Sequence, residues 1–272
     1  MDRGEFVFTD QAMPKKYDEL LVPPLFRPWA EALVERLDPG IRARALDVAT
    51  GPGTVARVLA HRIGPEGLVA GSDSSPAMIA RAESHGAVVG DAPIAYTVAP
   101  AAPLPYPDHS FDLVTCQQGL QFFPDGGAAL AEMARVLVPG GRLAASVWCA
   151  PEECSVFFAY QQALREGGQP DLATLMETPF PRWVEGDIAD RARARGFRAV
   201  SVTVETRDLV FPGGVAEALA AFAGSPIAPM LARLDPAATQ AISDAAERTF
   251  APLKSGAGIS GPMRSWILLA ST

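Results

Sequence analysis

The sequence predicts an α/β fold: a mostly parallel sheet covered by helices on both faces. Three observations predict it. Short, continuously apolar stretches recur at 45–49, 94–98, 111–116 and 142–148, with none of the polar alternation of a half-solvated strand. Helical patterns separate them. A glycine turn, "ATGPG" at 49–53, joins the first apolar stretch to the first of those helices. At 272 residues and 49% hydrophobic, the chain suits one α/β domain with elaborations.

Each element follows in order. Residues 1–40 read as helical, interrupted by Pro23, Pro24 and Pro28. Ala45–Ala49 is a strand and Thr54–Ile63 a helix. Gly67–Ser72 is the second strand. Pro76–Ser84 is a helix with Ser74 or Ser75 as its cap and proline in its first turn. Ile94–Val98 and Phe111–Cys116 are the third and fourth strands. Gly127–Leu137 is a helix stopped by "PGG" at 139–141, before a fifth strand over Arg142–Trp148. Beyond Trp148 the pattern changes to helices at 152–180, a helix at 184–195, one or two strands at 198–210, helices over 213–254 and a last strand at 262–270. The core is thus expected over 41–149, 184–211 and 257–272, with an N-terminal helical lid at 1–40 and helical insertions at 150–183 and 212–256. Such insertions commonly form a pocket above the carboxyl edge of a sheet.

Charge and composition exclude several functions. A net charge of -8 disfavours nucleic acid and anionic membrane, both of which need a basic face. No apolar run approaches the ~18 residues of a membrane span, and the first residues lack a signal-peptide pattern. A cytoplasmic protein is expected, with a homodimer left open. Three cysteines, Cys116, Cys149 and Cys154, suit neither a disulfide framework nor a metal site, and the three histidines lack metal-ligand spacing. No metal is expected.

The glycine turn carries the first chemical signal. Glycine lets backbone approach a ligand closely, and the helix behind it aims free N–H groups at that ligand. "GPGTVA" also fits the dinucleotide pattern G-x-G-x-x-A, with Asp73 twenty residues after Gly53 to hold a ribose. A plain strand-to-helix turn, a dinucleotide such as NAD, and an adenosine with a shorter charged tail all remain open at this point.

Four strings narrow the choice. "LDVATGPG", then "SSPAMIARA" directly after Asp73, then "LPYPDHSFDLV" and "RVLVPGGRL" occur in that order. Together they resemble the class I S-adenosylmethionine (SAM)-dependent methyltransferases, in the type-11 branch that includes the ubiquinone/menaquinone C-methyltransferases. The resemblance covers residues 40–148 well and 184–211 loosely. It implies a Rossmann-like, seven-stranded sheet whose last strand runs antiparallel between the fifth and sixth. It implies SAM as cofactor. Asp47, Ala49, Thr50, Gly51 and Gly53 would surround its amino-acid tail, with Ala49 in place of the usual first glycine. Asp73 would hold the ribose, beside Ser74 and Met78. The backbone carbonyl of Gln117 would meet the ammonium, and Tyr17 would close over the cofactor.

One position departs from the family. An Asp that accepts the adenine amine usually follows the third strand, and Pro100 stands there instead. Losing one such charged hydrogen bond costs on the order of 1.5–3 kcal/mol. The Ala101 N–H can still meet the adenine. The upstream Gly90-Asp91-Ala92 imitates the motif but precedes the strand.

Methyl transfer from a sulfonium is an in-line displacement that relies on alignment. No base stands out: His109 falls at the far end of the sheet, and His61 and His85 read as surface residues. Gln118 and Gln121 fall near the methyl. The insertion "CSVFFAYQQAL" (154–164) points to a hydrophobic small-molecule acceptor lined by Phe157, Phe158 and Phe222. The expected function is O-, N- or C-methylation of such an acceptor, in natural-product assembly. Two alternatives stand beside it: the same fold used for cyclase-like chemistry or as a scaffold, and an NAD(P)-dependent oxidoreductase.

Overall fold

The structure is a computed structural model that describes residues 12–181 and 183–272. Residues 1–11 of the expected lid lie outside the described residues. The rest of the N-terminal segment forms α1 (Ala12–Leu20), a wide π-type turn (Val22–Phe26) and α2 (Arg27–Leu37). Pro23 and Pro24 occupy the start of the turn and Pro28 the first turn of α2, where a missing N–H costs nothing.

The core then alternates β1 (Arg44–Val48), α3 (Thr54–Ile63), β2 (Leu68–Asp73), α4 (Pro76–Glu83), β3 (Ile94–Val98), β4 (Phe111–Gln117), α5 (Gly126–Val136) and β5 (Leu137–Trp148). The cap helices α6 (Ser155–Glu166) and α7 (Pro170–Leu175) follow, then α8 (Glu185–Arg193) and β6 (Arg198–Phe211). A second cap segment holds α9 (Gly214–Phe222), α10 (Ala228–Leu231) and α11 (Pro236–Thr249). The two-residue β7 (Lys254–Ser255) and the long β8 (Gly258–Ser271) complete the order.

The sheet runs β3-β2-β1-β4-β5-β8-β6, with β7 paired on β8. Strands β1 to β5 are parallel, and β8 is antiparallel to both of its neighbours, β5 and β6. The seven-stranded arrangement expected from the resemblance is present, with β7 added. Alternate residues of β1 enter two different cores. Ala45 packs with Leu33 and Leu59, whereas Leu46 and Val48 pack with Met133 and Leu143. Both faces are covered, which is why the strand reads as one apolar run.

One boundary differs from the sequence reading, and one alternative is decided. The helix expected to reach Leu137 ends at Val136, and β5 starts at Leu137, taking "PGG" into the strand. The ladder accommodates it with a register shift between Phe111 and Leu113, while Gly140 adopts φ +80°. Residues 198–211 form one strand rather than two. No helix of the described residues is long and apolar enough to cross a membrane.

Strand order reverses at β1, which has β2 on one side and β4 on the other. Ligands of open α/β sheets sit at such a switch point, beyond the carboxyl ends of the strands.

Candidate functional site

The site builds up from the end of β1. Asp47 is 1% exposed and accepts two side-chain hydrogen bonds, from Thr50 Oγ1 at 2.6 Å and from Thr115 Oγ1 at 2.8 Å, while the Ala56 backbone N–H also favours its charged form. One carboxylate thus ties the glycine turn, the start of α3 and β4 together. Burial outweighs these bonds and pushes its pKa up to about 6. The turn itself needs three residues at positive φ: Ala49 (+56°), Gly51 (+53°) and Gly53 (+78°). At Ala49 that conformation costs about 1 kcal/mol, which the usual glycine would avoid. A side chain on Gly53 would run into the Tyr96 hydroxyl, whereas a Cβ on Gly51 would find nothing within 4 Å. The space beside Gly51 is open to a ligand.

Asp73 ends β2 and faces the same turn. Its carboxylate accepts from the Gly51 N–H and the Ser75 N–H, each at 2.9 Å. Each oxygen keeps a second lone pair, so two ribose hydroxyls can be accepted there. Burial raises its pKa as well. Ser75 caps α4 by accepting from the Met78 N–H; Ser74 is exposed, and Met78 is buried at 3%. Beyond β3, Ala99 N–H donates to Asp73 O at 2.9 Å, which places Pro100, exposed, and Ala101, half-buried, beside the carboxyl end of β2. Asp91 lies before β3 instead, paired with His61 at 3.0 Å.

At the end of β4, Gln117 donates from Nε2 to the Phe26 carbonyl at 2.9 Å, while its Oε1 is buried with no partner among the described residues. Gln118 sits at φ +54° and donates to Ser265 Oγ of β8 at 3.0 Å; Gln121 in turn donates to Gln118 Oε1 at 3.3 Å. Gly119, which the sequence reading does not single out, is forced by packing. A Cβ there would lie 2.8 Å from both the Ala49 Cβ and the Cys116 Sγ.

Tyr17 of α1 stacks on Phe26 at 5.0 Å, and Phe26 leads to Trp148 (6.4 Å) and on to Trp29 (5.3 Å). Burial, and then the carboxylates of Asp73 and Asp18, push the Tyr17 phenol well above its ordinary range. In the cap, Phe222 is 0% exposed, stacked on Tyr160 at 4.1 Å and met edge-on by Phe157 at 5.0 Å. Phe158 is half-buried. Gln161, one turn beyond Phe157 on α6, escapes the sequence reading. It is 1% exposed, and neither of its amide atoms has a partner among the described residues. A glutamine inside an otherwise apolar helix face is the signal that could have found it.

The histidines are spoken for: His61 by Asp91, His109 Nδ1 by the Leu137 carbonyl at 2.8 Å, and His85 by Asp18 at 2.9 Å. His85 is exposed, as expected from sequence, although its Nε2 reaches across to α1. Burial, then Arg57, lowers its pKa. Burial pushes the Cys149 and Cys154 thiols up to about 12, and no cluster of three metal-ligating side chains exists among the described residues.

Residues 46–145 match the methyltransferase domain family. The chain is 31% identical over 205 residues to nocamycin O-methyltransferase of Saccharothrix syringae, covering 71% of this chain and 72% of that one. The chain belongs to the class I SAM-dependent methyltransferases. It lies in their type-11 branch, being 38% identical over 165 residues to demethylmenaquinone methyltransferase of Deinococcus radiodurans, across 57% of this chain and 68% of the relative. The fold also matches Haemonchus contortus phosphoethanolamine N-methyltransferase 2 in complex with S-adenosylhomocysteine (SAH), with TM-score 0.63 and 20% identity over all of this chain and 58% of that one. The enzyme is a SAM-dependent methyltransferase, and the oxidoreductase alternative falls.

Proposed function

We propose that this methyltransferase transfers the methyl group of SAM to a hydrophobic small molecule held under its cap, in natural-product assembly. The observation that carries the reading is the junction at the end of β1 and β2. There a buried carboxylate organises a glycine turn, and a second, Asp73, faces the open space beside Gly51. Asp47, Ala49, Thr50, Gly51 and Gly53 form the surroundings of the amino-acid tail. Asp73 takes the ribose, with Ser74 and Met78 alongside. Ala101, next to Pro100, serves the adenine. The Gln117 carbonyl takes the ammonium, and Tyr17 covers the cofactor. Bound SAM supplies an electrophilic methyl on its sulfonium.

The protein contributes alignment and exclusion of water. The imidazoles of His61, His85 and His109 are engaged with Asp91, Asp18 and Leu137. The proposed acceptor is one whose oxygen, nitrogen or carbon is already nucleophilic or weakly acidic. Gln118 and Gln121 orient it without taking its proton, and Phe157, Phe158 and Phe222 supply the apolar side of the cap. The unpartnered Gln161 amide adds one donor and one acceptor, matched by an acceptor with a neighbouring hydroxyl and carbonyl. The nocamycin relative supports natural-product chemistry and O-methylation.

The test is methylation from radiolabelled SAM of a panel of phenols, enolisable dicarbonyls and a naphthoquinol. Label transferred to a hydrophobic member supports the proposal. SAH-competent enzyme that methylates only charged, hydrophilic amines sinks it.

A further inference from the structure

A buried carboxylate lies outside the glycine turn and plays no part in the chemistry above. Asp18, on α1, has a side chain only 5% exposed. Arg81 Nη2 and Nε of α4 reach its Oδ2 at 2.7 and 2.8 Å, and His85 Nε2, just past α4, reaches the same oxygen at 2.9 Å. Arg57 Nη2 of α3 stands 3.8 Å from Oδ1. The other carboxylate of α1 is more exposed: Glu19 pairs with Lys15 at 2.7 Å and lies 3.8 Å from Arg81 Nη2.

We propose that Asp18 is a positioning residue for cofactor retention, latching α1 onto α3 and α4 so that Tyr17 keeps its stack on Phe26, whose carbonyl holds Gln117 of the cofactor site. Three features of the geometry support it. A helix of nine residues does not hold itself together in water, so its place depends on what it docks against. Asp18 follows Tyr17 directly, so that one side chain turns to α4 while its neighbour turns to Phe26. Arg57 also donates to the Pro52 carbonyl at 2.6 Å, inside the glycine turn. The latch therefore joins the lid to the loop that approaches the ligand. Removing the carboxylate would leave Arg57, Arg81 and His85 facing one another, and α1 with no buried charge to meet them.

The inference rests on the reading that Asp73 marks the SAM site, and the experiment separates the two. The full chain is compared with Asp18→Asn, Asp18→Glu and Asp73→Ala. SAH affinity is measured by calorimetry, SAH release by stopped flow, and lid opening by the rate of trypsin cleavage at Lys15 and Lys16. Asp18→Asn should weaken SAH about tenfold, mainly by faster release, and should expose Lys15 and Lys16 to trypsin even with SAH bound. Asp18→Glu should recover most of both. If Asp18→Asn does not fold, Arg81→Gln on α4 should show the same faster release. Wild-type release and cleavage rates in Asp18→Asn or Arg81→Gln would overturn the latch. Wild-type SAH affinity in Asp73→Ala would instead overturn the cofactor placement.

Discussion

The two halves of the candidate site are built in opposite ways. On the cofactor side polar groups are heavily engaged: Asp47 holds two hydroxyl donors, and both Asp73 oxygens take backbone N–H groups. In the cap the rule is apolar packing of Phe157, Tyr160, Phe180 and Phe222, and the Gln161 amide is buried without a partner among the described residues. The contrast fits a cofactor half preorganised for one ligand and an acceptor half that selects by shape. Fixed polar geometry demands particular residues at particular spacings. An apolar surface is satisfied by many side chains of suitable volume.

Experiments that break this contrast should be largest on the cofactor side. Asp73→Ala removes the two oxygens proposed to take the ribose and the anchor of Gly51 and Ser75. SAH affinity by calorimetry should fall about a hundredfold, since hydrogen bonds to charged groups contribute about 1.5–3 kcal/mol each. Gln161→Met tests the cap. Replacing an unpartnered buried amide with an apolar group of similar size should raise the stability of the free enzyme by about 1–3 kcal/mol in urea unfolding. A loss of stability there would mean that the amide is already satisfied in the free protein.

Pro100→Asp restores the adenine acceptor usual in the family. It should tighten SAM by up to about tenfold, read by calorimetry, because one charged hydrogen bond is at stake. The smallest effect concerns pH. Asp47 has a folded pKa of about 6, above its unfolded value of 3.8, so the fold favours its protonated form. Stability of the free enzyme should therefore rise as pH falls from 7 to 5, by about 1 kcal/mol from this group, with Asp73 acting in the same direction. Urea midpoints at the two pH values check it, and a flat profile would mean that Asp47 titrates as an ordinary carboxylate.

The same contrast explains what can be read in the sequence. β1, the glycine turn, α3 and Asp73 are legible because each signal is local: an apolar run, a positive-φ turn, a carboxylate at a strand end. The antiparallel final strand follows from the resemblance. "PGG" reads as a stop because proline and glycine usually break a ladder, and only the neighbouring register of β4 shows that a bulge absorbs them. Contacts made at long range leave no local mark. Gln118 meets Ser265 across 147 residues of chain, and Arg81 meets Asp18 across 63. The aromatic series Tyr17, Phe26, Trp148 and Trp29 is invisible for the same reason. The cap is readable only as apolar and helical, since nothing in its pattern fixes which ring faces which.

The place of β8 has a consequence for how the enzyme is made. It pairs with β5 over 142–148 on one side and with β6 over 198–211 on the other, and no other strand of the described residues joins those two. On the ribosome, the glycine-turn half can condense early, because β1 to β5 need only one another. β6, with fourteen residues of open backbone, must wait until residues 258–271 have emerged. In that interval an edge lies bare, and such edges invite pairing with other chains. Late completion of the sheet is the step at which a growing chain of this enzyme is most exposed to aggregation.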